Sequence, residues 1–304
     1  MFSVVITTHN RQNEVAHAVA SAARQSVRPD EIIVVDDASE PPLQEASLAQ
    51  TAEGVPLRLI RHIQARGPSG ARNAGIQAAT APWIAFLDDD DIFVPTKLQR
   101  CAEMFRTSAG ADVIFHAAVI NMINEGASYT TRLARSHHEA DFYRRLLVRN
   151  VVGGTPMVAV RRQLLLDLGG FDEKLAALED YELWLRLARA GARFLAIDEA
   201  LTHCSYVTRK HSVTKSDAAG EETFSCIRER YQDDFNTLSM AEKHEHERWI
   251  REIELHRSLL RLDRKQTIRV ASELLRKSPG PKNLLIFLLS FLGPRRILLL
   301  RAKL

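Results

Sequence analysis

Phe86-Leu87-Asp88-Asp89-Asp90-Asp91-Ile92-Phe93-Val94-Pro95 sets four carboxylates directly behind the short apolar run Trp83–Leu87. An unbroken apolar run that stops at charge predicts a strand buried on both faces, as in parallel sheets. Open α/β sheets bind ligands in the crevice outside the carboxyl edge of such strands. Four like charges crowd unfavourably there unless a cation sits among them. Hard carboxylate oxygens suit Mg²⁺ or Mn²⁺, which also hold substrate phosphates. The same residues also read as a solvated acidic turn before a helix starting near Pro95, with Asp91 or Thr96 as its cap. The rest of the chain has to decide between the two.

Upstream, Ser3–Thr8 is short and β-branched, which predicts a strand. Val15, Ala18, Val19 and Ala22 then recur at helical spacing, with Asn10 as the expected cap. Arg28-Pro29-Asp30 ends that helix, and Glu31–Val35 predicts a second buried strand that again ends in carboxylates, Asp36-Asp37. Strand, helix, strand in this order is a βαβ unit with a parallel sheet. Pro41–Glu53 leaves loop and helix both open, and Leu57–Ile60 predicts a third strand. Arg66-Gly67-Pro68-Ser69-Gly70-Ala71-Arg72-Asn73-Ala74-Gly75 reads as a Gly-rich loop leading into a helix around Ile76–Ala79. It is neither the dinucleotide fingerprint nor a P-loop. Two arginines beside flexible backbone suit a diphosphate, although such a loop also serves as a plain connection.

Downstream, the pattern predicts a helix over Lys97–Phe105, a strand over Ala111–Phe115, and an exposed loop or hairpin over Asn121–Arg135. A helix over Ala140–Val148 follows, then a turn into a strand over Gly153–Val160. Another helix, Arg162–Leu168, is stopped by Gly169-Gly170-Phe171-Asp172. An amphipathic helix begins near Ala176, with Glu179 and Asp180 in its first turn, where the helix dipole favours negative charge. That placement suits a structural role as well as a catalytic one. Thr202–Thr214 alternates like a strand and runs into a basic loop carrying His211. Glu221–Lys277 is helical and charged, with Ile250, Ile253, Leu259, Leu260 and Leu262 as an apolar seam. The largely apolar run Leu284–Leu292, then Gly293-Pro294-Arg295-Arg296 and Ile297–Leu300, is too short to span a bilayer, which takes about twenty helical residues.

The chain's 304 residues suffice for one large α/β domain with an appendage, or for two domains. A net charge of +3 is too small to argue for a nucleic-acid partner. Cys101, Cys204 and Cys226 have no metal-ligand spacing and an odd count, which suits a reducing cytoplasm. No signal peptide is evident at the start.

Taken in order, these stretches closely resemble the family 2 glycosyltransferases, inverting enzymes of the GT-A fold. The resemblance rests on Val4–Arg11, Ile32–Ser39, Gly70–Gly75, Phe86–Asp91, Gly169–Asp172 and Leu178–Trp184. It implies a mostly parallel sheet flanked by helices over residues 1–220, with a nucleotide-sugar half (1–100) and an acceptor half (101–220), then a helical extension over 221–304. It implies that Thr7, His9 and Asp37 bind the base of a donor, expected to be a UDP-sugar, with Asp37 accepting the uracil N–H. Arg66 and Arg72 are implied at the diphosphate or base. Asp88 lies near the ribose and Asp90 on Mn²⁺ or Mg²⁺, while Asp89 and Asp91 blur the register of the Asp-x-Asp motif. Asp180, paired with Glu179, stands in the place of the catalytic base, and His211 resembles the family's C-terminal metal-binding His. The resemblance further implies a glycan or lipid-linked acceptor in bacterial envelope polysaccharide synthesis. The site is then cytoplasmic, with peripheral membrane contact expected through residues 284–300. A sugar-nucleotidyltransferase or an NAD enzyme lacks its Gly-rich signature after the first strand, where Asn10-Arg11-Gln12-Asn13 stands instead. The alternative from another class is a non-catalytic nucleotide-sugar-binding or assembly subunit.

Overall fold

A computed structural model describes residues 1–108, 110–131, 133, 142–208 and 217–301, with 217–219 and 301 as backbone only. Four short β-branched or aromatic runs, β1 (Phe2–Thr8), β2 (Glu31–Asp37), β3 (Leu57–His62) and β4 (Trp83–Asp88), pair in parallel in the order β3-β2-β1-β4. Helices α1 (Gln12–Ala23), α2 (Glu45–Thr51) and α3 (Gly67–Ala78) make the crossovers. Side chains alternate across a strand. Phe2, Val4, Ile6, Ile32, Val34 and Leu87 therefore pack with α1 on one face, and Val5, Ile33, Val35, Ile84 and Phe86 pack with α3 on the other. Both faces of β1, β2 and β4 are covered, which is why these strands are apolar without alternation, whereas the edge strand β3 carries the exposed Arg58 and Arg61.

The second half of the sheet is mixed. It contains β5 (Ile92–Phe93), β6 (Val113–Met122), β7 (Ala127–Thr130), β8 (Val158–Arg161) and β9 (Phe194–Tyr206). β6 and β9 are parallel, whereas β8 pairs antiparallel to β4 and β6, β5 to β9, and β7 to β6. Helices α4 (Lys97–Thr107), α5 (Phe142–Val148), α6 (Arg162–Asp167) and α7 (Glu179–Arg189) connect them. Within the stretch expected as a loop or hairpin, β6 and β7 form a hairpin over Val119–Thr130, around the 3₁₀ turn Ile123–Glu125.

Beyond the sheet lie α8 (Asp217–Arg230), α9 (Gln232–Asn236), α10 (Met240–Arg261), α11 (Arg264–Lys277), α12 (Pro281–Ser290) and α13 (Pro294–Arg301). Phe224, Ile227, Tyr231, Phe235 and Trp249 join the main core beside α7, and Trp249 meets Tyr181 edge-on at 4.9 Å. Leu259 and Leu260 of the expected seam instead anchor a smaller core with α11–α13.

Three local expectations change. Asn10 does not cap α1. It adopts φ 56°, α1 begins at Gln12, and the Asn10 side chain accepts the Glu40 amide at 2.7 Å, joining the turns after β1 and β2. Neither Asp91 nor Thr96 caps α4 through its side chain; Asp91 accepts the Ser205 amide instead, at 3.0 Å. The Gly-rich stretch is not a loop but the body of α3. Gly75 is there for close packing, since a Cβ would lie 2.3 Å from Val5 Cγ1.

Candidate active site

Register brings the polar residues to one edge. Thr7 pairs with Val35 and Asp88, and Asp37 with His62, so β1, β2, β3 and β4 all end along the same rim. The four aspartates sort by what they touch. Asp89 is buried and accepts from Thr8 Oγ1 and Arg11 Nη1, both at 2.7 Å. Asp91 is buried against β9. Asp88 and Asp90 are about a third exposed; Asp88 accepts Arg72 Nη2 at 2.9 Å and Asp90 accepts Arg11 Nη1 at 2.6 Å. Inward and outward carboxylates thus alternate along the run. Burial pushes Asp89 up to about 6 and also raises Asp90 and Asp91, for which neighbouring carboxylates add to the rise; Arg11 opposes it at Asp89 and Asp90. Arg11, at the end of the first strand's motif, was given no role from sequence, yet it is the cation that holds two of the aspartates.

Arg72 carries the arrangement across the cleft. Its guanidinium is buried at 7% exposure, donates to Asp88 through Nη2 and to Glu179 through Nη1 at 2.8 Å, and lies 5.4 Å from the centre of the Phe171 ring. Burial works against its charge, but the two carboxylates win and raise its pKa. One residue therefore ties the carboxyl end of β4 to the first turn of α7.

Leu178, at φ 56°, turns the chain into α7 so that Glu179 and Asp180 both reach the cleft. Their environments differ. Glu179 is ion-paired to Arg72. Asp180 accepts the Tyr181 amide through Oδ1 at 2.6 Å and makes no hydrogen bond to a cation among the described residues; its Oδ2 faces Gly154, where a Cβ would sit 3.8 Å away. Burial, then the Glu179 charge, pushes Asp180 up to about 7. A neighbouring pair whose proton affinities are driven apart is the arrangement that separates a structural carboxylate from a reactive one. Trp184 Nε1 donates to Gly153 O at 2.9 Å and fixes the facing loop, and Tyr181 Oη anchors the helix start on Leu146 O at 2.8 Å. Gly153 adopts φ 99°, a left-handed conformation that strains any side-chain-bearing residue. Trp184 and the Gly153-Gly154 turn are further site-shaping residues that sequence reasoning left as plain structure.

At the β1–β2 end of the rim, His9 Nδ1 donates to Asp37 O at 2.6 Å, and Asn10 Nδ2 donates to His9 Nε2 at 2.9 Å. The Asp37 carboxylate accepts the Arg66 and Gly67 amides at 2.9 and 2.8 Å and His62 Nδ1 at 2.7 Å. It therefore caps α3, where the helix dipole favours an anion. The Arg66 side chain turns away to Glu173 at 2.8 Å. Thr7, His9, Asp37, Arg72, Asp88, Asp90, Glu179 and Asp180 thus gather along one cleft, Asp89 lies behind it, and the Arg66 guanidinium pairs outside it. His211 lies outside the described residues.

The donor set fits a hard divalent cation. Asp88 and Asp90 each give one oxygen to an arginine and keep another, and two carboxylates plus substrate phosphates is a common Mg²⁺ pattern. Among the described residues, no three His, Cys, Asp or Glu converge as a complete protein cage.

A half-parallel sheet whose acidic rim faces a carboxylate-bearing helix is the arrangement expected of the GT-A fold. Residues 3–168 match the sequence profile of Glycosyl transferase family 2, and the chain belongs to that family. An uncharacterized glycosyltransferase of Haemophilus influenzae is 31% identical over 232 residues, covering 76% of this chain and 77% of that protein. The amylovoran biosynthesis glycosyltransferase AmsB of Erwinia amylovora is 26% identical over 231 residues, 73% of this chain and 75% of its own. Among solved structures, S. aureus TarS 1–349 in complex with UDP-GlcNAc superposes with a TM-score of 0.57 at 20% identity, over 91% of this chain and 81% of that one. The mannosyltransferase PcManGT from Pyrobaculum calidifontis, in complex with GDP-Man and Mn²⁺, superposes with a TM-score of 0.58 at 15% identity, over 99% and 84%. At such identities the likeness speaks for the fold.

Proposed function

We propose that this glycosyltransferase moves a sugar from a UDP-sugar to a hydroxyl of a glycan or lipid-linked acceptor in envelope polysaccharide assembly, with inversion at the anomeric carbon. The observation that carries the proposal is the division of labour in the Glu179-Asp180 pair. Arg72 neutralises Glu179, while Asp180 has no hydrogen-bonded cation among the described residues, and burial beside Glu179 raises its proton affinity. A binding-only subunit has no use for such a carboxylate.

Asp180 accepts the proton of the acceptor hydroxyl as that oxygen attacks, which makes a poor nucleophile competent. A single general-base carboxylate on the far side of the donor sugar gives one displacement, hence inversion, and no covalent intermediate. Asp88 and Asp90 would hold Mn²⁺ or Mg²⁺, with His211 as a further ligand; bound there, the cation offsets charge on the leaving diphosphate. Thr7, His9 and Asp37 form the base-binding rim. Asp37 serves it by holding α3, and its oxygens, which already accept Arg66, Gly67 and His62, take the uracil N–H by sharing or giving up one of these donors. Neighbours of this fold are solved with both UDP-GlcNAc and GDP-Man, so the choice of uridine rests on Asp37; the name of AmsB, an amylovoran biosynthesis glycosyltransferase, supports a polysaccharide acceptor. The enzyme works on the cytoplasmic side, in contact with the membrane through residues 284–300.

A donor screen that measures free nucleoside diphosphate, run beside calorimetry with UDP, tests this reading. Release from a UDP-sugar that stops in Asp180→Asn while UDP still binds supports it. Tight UDP-sugar binding with no release from any donor or acceptor favours the non-catalytic subunit.

A further inference from the structure

The last two helices present an apolar surface that the fold leaves open. In α12, Ile286 and Ser290 face the small core with Leu259, Leu260, Val270 and Leu274, while Leu284, Leu285 and Leu288 face outward. Just past the end of α12, Leu292 is 69% exposed, and Phe291 beside it is exposed as well. Positions 284, 285 and 288 share one side of α12, and Phe291 and Leu292 stand exposed in the turn that follows, so the exposed residues form one patch and not a scatter. Monomeric soluble proteins rarely leave such a patch uncovered.

The charge around it is one-sided. Residues 264–304 carry ten Lys and Arg against a single acid, Glu273, in a chain whose total is only +3. The rest of the chain is therefore net acidic, and the basic excess belongs to this end. Lys282, Arg295 and Arg296, which bracket the leucines, are exposed, as are Arg264, Lys265, Arg269, Arg276 and Lys277 of α11. Glu273 itself lies 3.5 Å from Arg251.

We infer that the outer face of α12 and the α12–α13 turn dock on an anionic lipid bilayer, with the leucines among the acyl chains and the flanking bases on the headgroups. No helix among the described residues is long and apolar enough to cross a membrane, so the segment lies in the interface. This inference rests on the lipid-linked or membrane-proximal acceptor proposed above and names the surface that meets the membrane.

The tail is also tied to the catalytic edge. Arg295 Nε lies 3.7 Å from Glu125 Oε1, which accepts Thr208 Oγ1 at 3.0 Å. Thr208 follows closely on Ser205, whose amide holds Asp91. Docking through α12 therefore holds the end of β9, and the aspartates beside it, next to the bilayer surface.

Flotation of the full chain with phosphatidylcholine vesicles, with and without phosphatidylglycerol, tests the inference. The protein floats with phosphatidylglycerol vesicles at low salt and much less with phosphatidylcholine alone or at high salt. Leu284→Ser/Leu288→Ser/Leu292→Ser abolishes flotation. Lys282→Gln/Arg296→Gln lowers the partition coefficient by about thirtyfold, since each basic residue near such a surface contributes roughly a fivefold preference. Both variants alter exposed residues and keep the wild-type melting temperature and UDP affinity. Indifference of the full chain to phosphatidylglycerol vesicles at low salt overturns the inference. So does undiminished flotation of the serine variant, or a homodimer in light scattering that the serine variant dissolves while vesicles are ignored. Vesicle binding without sugar transfer would instead sink the enzymatic reading and leave the docking surface standing.

Discussion

Replacing Asp180 by Asn should stabilise the fold while stopping catalysis. Raising the carboxyl from its ordinary range to about 7 means that the ionised form costs the native state up to about 4 kcal/mol at pH 8, at about 1.4 kcal/mol per tenfold change in proton affinity. Solvent reaching the partly exposed side chain lowers that figure. An Asn Oδ1 still accepts the Tyr181 amide, and desolvation of the uncharged amide offsets part of the gain. The net gain is then about 1–3 kcal/mol, a rise in Tm of roughly 2–6 °C for a chain of this size. The sign follows from proton binding. Native Asp180 holds its proton more tightly than the unfolded chain, so wild-type stability falls as pH climbs from about 4 to about 7. The Tm gap between variant and wild type opens across that window and is flat above it. Calorimetric melts at several pH values measure this, beside UDP titrations and turnover. Turnover should drop by on the order of a hundredfold or more with UDP affinity kept. A variant less stable than wild type at pH 8, with UDP binding lost in step with turnover, would refute the reasoning and mark Asp180 as structural.

Asp90→Ala should abolish turnover, and chelator should do the same to the wild type; full activity in excess EDTA rules out the metal role. Arg72→Met leaves Asp88 and Glu179 without their shared cation and should cost about 3–5 kcal/mol of stability, read as a lowered denaturation midpoint. A midpoint equal to wild type would mean the bridge does not hold the cleft. Asp37→Ala removes both the α3 cap and the uracil acceptor, so the Kd for UDP should rise and Tm should fall; an unchanged Kd limits Asp37 to its structural work.

The parallel half of the sheet was legible because strands buried on both faces must be apolar throughout, and each run stops where the rim begins. The cleft was legible only as a set of residue types. Nothing local separates Asp88 and Asp90 from Asp89 and Asp91, because Thr8, Arg11 and Ser205 do the sorting from distant positions. Glu179 and Asp180 look alike in sequence, and only Arg72, 107 residues from Glu179, tells them apart. The Gly-rich stretch misled because glycine disfavours helices locally, whereas Gly75 answers to Val5 on a strand 70 residues earlier. Arg11 passed unnoticed for the same reason: its partners come from the end of β4.

The central claim is a single displacement driven by Asp180. Proton NMR of the anomeric hydrogen, followed during the first turnovers of an α-linked UDP-sugar with Mn²⁺, tests it most directly, with water or a simple alcohol as acceptor. The β-anomer should appear first, at a rate that rises with pH through about 7 and disappears in Asp180→Asn. First release of the α-anomer, or β-product at an undiminished rate from the variant, would contradict it.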